Sequence, residues 1–280
     1  MATNPVLIQK IKQLRSNGFS LGEIVKATNL PKTTVYDHIR SVYISPELKK
    51  TIIEIGRKKV VVINKQRKGK CWVGREVILP QGWPNGLLFL TAHFIFDGVI
   101  NYGSCVYQNR SEALISRVDD LMNEVFGLEP RRYFYQDTGV YRIAYYNVEL
   151  ASYFKGKALW LIDNIINASI LEKRIFLQAF FDDEGCIHWR KSKRIVRGFQ
   201  KDLKILELVE QLLKDFNIDS TIDRKYKEII VSRKENLIKF QKEINFSQGI
   251  FINPERKNSI WKQKLEKRHI LSEMINSYQN

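Results

Sequence analysis

Two nonapeptides, LTAHFIFDG at residues 90–98 and LQAFFDDEG at residues 177–185, repeat each other in register, and each ends in an acid followed by glycine. Leu90 matches Leu177, Ala92 matches Ala179, Phe94 matches Phe181, Asp97 matches Glu184 and Gly98 matches Gly185, all at the spacing of 97 to 184. A carboxylate at the end of a helix sits among unpaired carbonyls at the negative end of the macrodipole, where lysine would be the stabilising choice. Two such carboxylates brought together repel unless they are protonated or bridged by a cation. A divalent metal on hard oxygen ligands resolves the conflict.

Repetition of this kind implies internal symmetry. If the two motif helices pack along a pseudo-twofold axis, Ala92 and Ala179 let their backbones approach, and Asp97 and Glu184 meet at one end. Gly98 and Gly185 are expected to stop the helices by adopting the left-handed conformation. From Leu87 the order helix, two strands, helix, two strands, helix is read twice. In the first copy the strands lie within residues 99–110, a helix runs from Ser111 to Phe126, a hairpin covers 131–146, and Asn147 to Lys155 closes the unit. In the second, strands lie within 186–199, a helix spans 200–216, a hairpin covers 218–232, and Lys234 to Ile244 is helical. NEVFGLEP at 123–130 echoes LKDFNIDS at 213–220.

These two motifs resemble the signature of the LAGLIDADG (dodecapeptide, DOD-type) homing endonucleases in their two-motif, single-chain form. They depart from it at Ile95, where the signature has an acid, and at Glu184, where aspartate is usual. The resemblance implies an α+β fold of two pseudo-symmetric αββαββα repeats forming a β-saddle over DNA. It also implies a staggered, metal-dependent double-strand cut by phosphodiester hydrolysis, with Mg²⁺ or Mn²⁺ as cofactor on Asp97 and Glu184. A lysine near each scissile phosphate is a further family feature; by position Lys257 and Lys157 are the candidates, with Lys155 as the alternative to Lys157. Strand residues suited to reading base edges or phosphates include Tyr107, Gln108, Asn109, Arg132, Gln136, Arg142, His188, Arg190, Arg194 and Arg197.

Ahead of the repeats, residues 6–41 read as three helices. Asn17-Gly18 ends the first, Ser20 and Glu23 form a capping box for the second, Asn29-Leu30 is the turn, and Pro31 opens the third. LGEIVKATNLPKTTVYDHIR resembles a helix-turn-helix, which implies that Lys32, Thr33, Thr34, Tyr36 and Arg40 face the major groove. Ser45-Pro46 then opens a short helix ending at Gly56. The β-branched run Lys58 to Asn64 and the run Trp72 to Ile78 read as a hairpin about a basic turn at Lys65, Arg67, Lys68 and Lys70. The resulting division is 1–45 helix-turn-helix, 46–86 linker, 87–171 first repeat, and 172–280 second repeat with a tail.

The chain has 280 residues and a formal charge of +16, the balance of a protein that holds a polyanion. Double-stranded DNA is the leading partner. No segment has the apolar length of a membrane span or the form of a secretion signal, so a cytoplasmic, nucleoid-associated location is expected. Cys71, Cys105 and Cys186 are too scattered for a disulfide framework or a zinc module, and His38, His93, His188 and His269 build no metal-protease or His-Asn-His pattern. Two pseudo-symmetric halves in one chain imply a monomer. The alternatives to the nuclease are a catalytically silent DNA-binding transcription regulator on the same scaffold and a maturase that binds intron RNA.

Overall fold

The computed structural model describes residues 4–67, 77–84, 86–190, 192–255 and 259–278. The chain divides into two compact units, Met1–Glu76 and Val77–Asn280. In the first, α1 (Pro5–Ser16), α2 (Leu21–Thr28) and α3 (Lys32–Ile39) close around Ile11, Ile24, Val35 and Ile39. Their punctuation follows the local chemistry. Asn17 caps α1, Gly18 turns the chain at a φ of 88°, and Ser20 and Glu23 form both arms of a capping box. Asn29 takes the left-handed conformation between α2 and α3.

Helix α4 (Pro46–Arg67) corrects two expectations: it passes through Gly56, and Lys58 to Asn64 is helical instead of a strand. One glycine costs a helix only about 1 kcal/mol. An isolated hairpin, by contrast, has no sheet on which to bury its β-branched face. Lys59 also pairs with Glu23 at 2.7 Å, tying α4 to α2. Lys65 and Arg67, expected in the basic turn, are likewise part of α4, while Lys68, Lys70, Cys71 and the strand expected from Trp72 to Glu76 lie outside the described residues; Val77 and Ile78 have no regular structure.

The second unit repeats one order twice. First come α5 (Leu87–Phe96), β1 (Gly98–Asn101), β2 (Ser104–Asn109), α6 (Glu112–Phe126), β3 (Arg131–Tyr135), β4 (Val140–Tyr145) and α7 (Val148–Asn164). Then come α8 (Ile170–Glu184), β5 (Gly185–Arg190), β6 (Lys193–Phe199), α9 (Leu203–Asp215), β7 (Ser220–Asp223), β8 (Glu228–Ser232) and α10 (Lys234–Glu243), followed by α11 (Lys267–Asn276). Each repeat builds a four-stranded antiparallel sheet, in the orders β1-β2-β4-β3 and β5-β6-β8-β7. The αββαββα topology expected from the sequence is therefore present in both copies. Helix α7 runs nine residues beyond the Lys155 end expected, to Asn164.

Helix α5 is apolar all round because it serves two cores. Leu87, Leu90 and Phe94 pack into the first repeat, and Leu88, Ala92 and Phe96 into the second. Phe96 sets its ring edge-on to Phe176 and Phe180 of α8, each at 5.2 Å between centroids. Ala92 and Ala179 are both fully buried in this seam. The seam thus brings the carboxyl ends of the motif helices together.

Candidate metal and nucleic-acid site

Asp97 caps α5 and Glu184 ends α8. The chain turns straight from each into a strand through a glycine, but not by the left-handed route expected. Gly185 is extended (φ −84°, ψ 145°), and Gly98 is not among the positive-φ residues. What excludes a side chain is proximity. A Cβ on Gly98 would collide with the Phe94 backbone, and one on Gly185 with the Phe181 carbonyl.

Around the paired ends lies a buried polar cluster. Asn109 Nδ2 donates to Asp97 Oδ2 at 2.6 Å and reaches Asp183 Oδ1 at 3.3 Å. Tyr107 donates its hydroxyl to Asp183 Oδ1 at 2.6 Å, and His93 Nδ1 lies 2.7 Å from Asp183 Oδ2. Asp182 takes the Ser247 N–H on Oδ1 at 2.8 Å, while its Oδ2 is buried without a partner. Lys267, buried on α11, donates from Nζ to the carbonyls of Asp182 (3.1 Å) and Gly185 (2.7 Å), capping the end of α8.

The electrostatics follow from crowding like charges away from water. Burial, with Asp183 nearby, pushes the Asp97 carboxyl up to about 8. Burial, then Asp97 and Asp183, pushes Glu184 up to about 8 as well. Burial raises Asp182, and lifts Asp183 well above the carboxylate range. It also holds His93 neutral by lowering its pKa to about 4, and lowers that of Lys267. Lys267 favours the ionised form of all four acids but is one charge against four.

Two hard carboxylates crowded by neighbouring acids that outnumber their cation form a donor set suited to a divalent metal. Among the described residues no three His, Cys, Asp or Glu side chains are gathered as a ready ligand set. Asp97 and Glu184 would therefore supply the protein's share, and a phosphate oxygen or water the rest.

Of the expected lysines, Lys157 is not at this cluster. Lys157 bonds the Gly82 carbonyl, with its ammonium 4.5 Å from the centre of the Trp83 ring, and so fastens the loop before α5. Lys257 lies outside the described residues. Lys267 is a lysine that the structure places at the cluster. Sequence spacing does not point to it, because it belongs to neither repeat and is 83 residues from Glu184.

Strand parity sorts the expected DNA contacts. In the second sheet His188, Arg190 and Arg197 share the face opposite the helices with Cys186 and Lys193. Arg194 is on the other face, where it bonds Ser277 and stacks on Tyr278. In the first sheet Arg142 lies beside Gln108 and Tyr133 on the open face. Arg132 points to the helix side and pairs with Asp119 of α6 at 2.5 Å. Arg194 and Arg132 are thus corrections, because successive strand residues alternate faces. Arg131, not expected, has the parity of the open face. In the first unit Lys32, Thr33, Tyr36 and Arg40 are exposed and Thr34 is half-buried along α3, around the buried Val35 and Ile39. Cys105 and Cys186 are free thiols.

Residues 171–245 match the family model described as a LAGLIDADG-like domain. Among solved structures, the chain is similar to the homing endonuclease I-DmoI in complex with DNA and Ca, with 20% identity over 57% of this chain and 89% of that one, at a TM-score of 0.43. It is also similar to the N-terminal LAGLIDADG domain of WhiA, with 16% identity over 66% and 93% at a TM-score of 0.47. Full-length WhiA from Thermatoga maritima gives 14% identity over 70% and 63%, also at 0.47. No curated protein matches the sequence. Among the described residues no helix is long and apolar enough to cross a membrane. The chain carries a LAGLIDADG-like domain in its second repeat, and its first repeat has the same αββαββα order.

Proposed function

We propose that this protein is a site-specific, metal-dependent DNA endonuclease that cuts both strands by phosphodiester hydrolysis. The observation that carries this reading is the convergence of the Asp97 and Glu184 carboxylates at the joined ends of α5 and α8, where Asp183 adds to the cost of ionising Asp97, and Asp97 and Asp183 to that of Glu184. Asp97 and Glu184 would hold Mg²⁺ or Mn²⁺. When bound, the cation supplies Lewis acidity toward phosphate and lowers the pKa of its water.

The chain's own groups do the remaining work. Asn109 orients Asp97 through Oδ2, and Lys267 steadies the end of α8 that presents Glu184. Arg142, Arg190, Arg197 and Lys193, on open strand faces, meet backbone phosphate or base edges. Helix α3 offers Lys32, Thr33, Thr34, Tyr36 and Arg40 for a second, separate contact with duplex DNA. The division into a helix-turn-helix module and two repeats belongs to the same proposal, as do monomeric action and a nucleoid location.

A second reading is a regulator that binds DNA without cutting it. It is favoured by the helical amino-terminal unit and by the lack of a third side-chain ligand among the described residues. One experiment separates the two. The protein is incubated with a plasmid library carrying DNA that flanks its gene, with Mg²⁺ or with EDTA. Linear product with Mg²⁺ alone, abolished by Asp97→Asn, supports the nuclease; salt-sensitive retention of DNA without product supports the regulator. Preferential retention of folded intron RNA would point to a maturase.

A further inference from the structure

The two repeats support their terminal acids by different means, and strand register shows how. Gly98 faces Tyr107 across β1 and β2, and Gly185 faces Gly198 across β5 and β6. Tyr107 therefore corresponds to Gly198, Asn109 to Gln200 and Ser111 to Asp202. Ser111 and Asp202 are the N-caps of α6 and α9, which fixes the alignment.

Asn109 works in two directions. Its Oδ1 accepts the Ser111 N–H at 2.8 Å, a local turn ahead of α6, while its Nδ2 bonds Asp97 at 2.6 Å and reaches Asp183 at 3.3 Å. Gln200 keeps only the local task, accepting the N–H of Lys201 at 2.7 Å and of Asp202 at 3.4 Å. Where Tyr107 donates to Asp183, Gly198 has no side chain, and the Phe180 ring fills the space that a Cβ would need. Among the described residues no hydrogen bond reaches the Glu184 carboxylate.

We infer that Asn109 is a positioning residue that makes Asp97 the preformed cation ligand of the pair and leaves Glu184 as the adaptable one. This rests on the cation-binding reading of the centre. A carboxylate pinned at Oδ2 by a neutral amide keeps Oδ1 for a metal and loses little freedom when one arrives. The same NH₂ group bonds two acids at once without adding a charge. Glu184, on a stem one methylene longer and without such a partner, must be ordered by the cation itself.

The test measures Mn²⁺ binding to the full chain by the loss of the free-ion signal in electron paramagnetic resonance, with thermal unfolding recorded for every variant. Asn109→Ala should weaken binding by about 10-fold or more. Gln200→Ala should bind as the wild type does. So should Ser111→Pro, which removes the N–H that uses Oδ1 together with a hydroxyl that makes no hydrogen bond, at a φ of −83° close to that of proline. If Asn109→Ala does not fold, Asn109→Ser keeps an acceptor for Ser111 but cannot span to Asp97, and should show the same loss. Wild-type affinity in the folded Asn109 variant, or an equal loss in Ser111→Pro, overturns the inference. Asp97→Asn and Glu184→Gln are run alongside. If neither weakens binding, the metal reading itself falls; if both do while Asn109→Ala does not, only the role of Asn109 falls.

Discussion

The first and second repeats share a topology and differ in what secures their acidic ends. The first uses its own sheet: Tyr107 and Asn109 reach from β2 into the seam and bond Asp183 and Asp97. The second has Gly198 and Gln200 at those places and draws instead on the segment after α10, through Ser247 and Lys267. One backbone plan can thus steady two acidic helix ends by unrelated chemistry, a neutral amide on the Asp97 carboxylate and a buried ammonium on the last carbonyls of α8. Symmetry of fold therefore does not imply symmetry of ligand.

The largest effect should come from the acids. Glu184→Gln is expected to lower DNA cutting in Mg²⁺ by about 1,000-fold while leaving salt-dependent DNA retention intact; undiminished cutting would break the pairing of the two ends. Next, Lys267→Met keeps the bulk but removes the cap on α8 and the counter-charge. It should cost on the order of 3 kcal/mol in urea unfolding, since it strands buried polar groups. A cost no larger than that of an exposed lysine would assign α8 no dependence on α11.

A pH series sharpens the contrast. Asp97 and Glu184 have ordinary values of 3.8 and 4.5 in the unfolded chain and about 8 when folded. The folded state therefore binds more protons across that window, and stability should fall as pH rises from about 4 to about 8. Without divalent cation the melting temperature should drop over that range, and Mn²⁺ should restore it at pH 8 but not at pH 5. Asp97→Asn should flatten the drop; a melting temperature that rises toward pH 8 would contradict the crowding of acids. The smallest effect concerns DNA contacts. Arg142→Ala should reduce the salt slope of duplex binding by about 1, and Arg194→Ala should leave it unchanged. Equal slopes would undo the assignment of faces.

Much of this was legible in the sequence. Ser20 and Glu23 announced α2, and the register of Asp97 with Glu184 located both motif helices and the seam between them. The succession of helices and strands along the chain followed from the same repeat. What stayed hidden depends on three-dimensional proximity among ordinary residue types. Nothing in the sequence marks Tyr107 or Asn109 as seam residues, or brings Lys267 to Gly185. Arg131 and Arg132 are indistinguishable by composition, and only the pleat sends one outward and the other to Asp119. The motif glycines mark the helix ends in the sequence, but the constraint that demands them, a collision with a phenylalanine backbone one turn away, leaves no trace in residue spacing.

The grip of Ser247 and Lys267 on α8 sets a lower limit on how far this protein can be trimmed. A fragment stopped at residue 245, where the matched domain ends, would keep every strand among the described residues and both motif helices. It would nevertheless leave Asp182 without its amide donor and the last carbonyls of α8 bare. The smallest fragment that keeps both acidic helix ends supported therefore extends through α11, and any graft of this double repeat should carry that helix along.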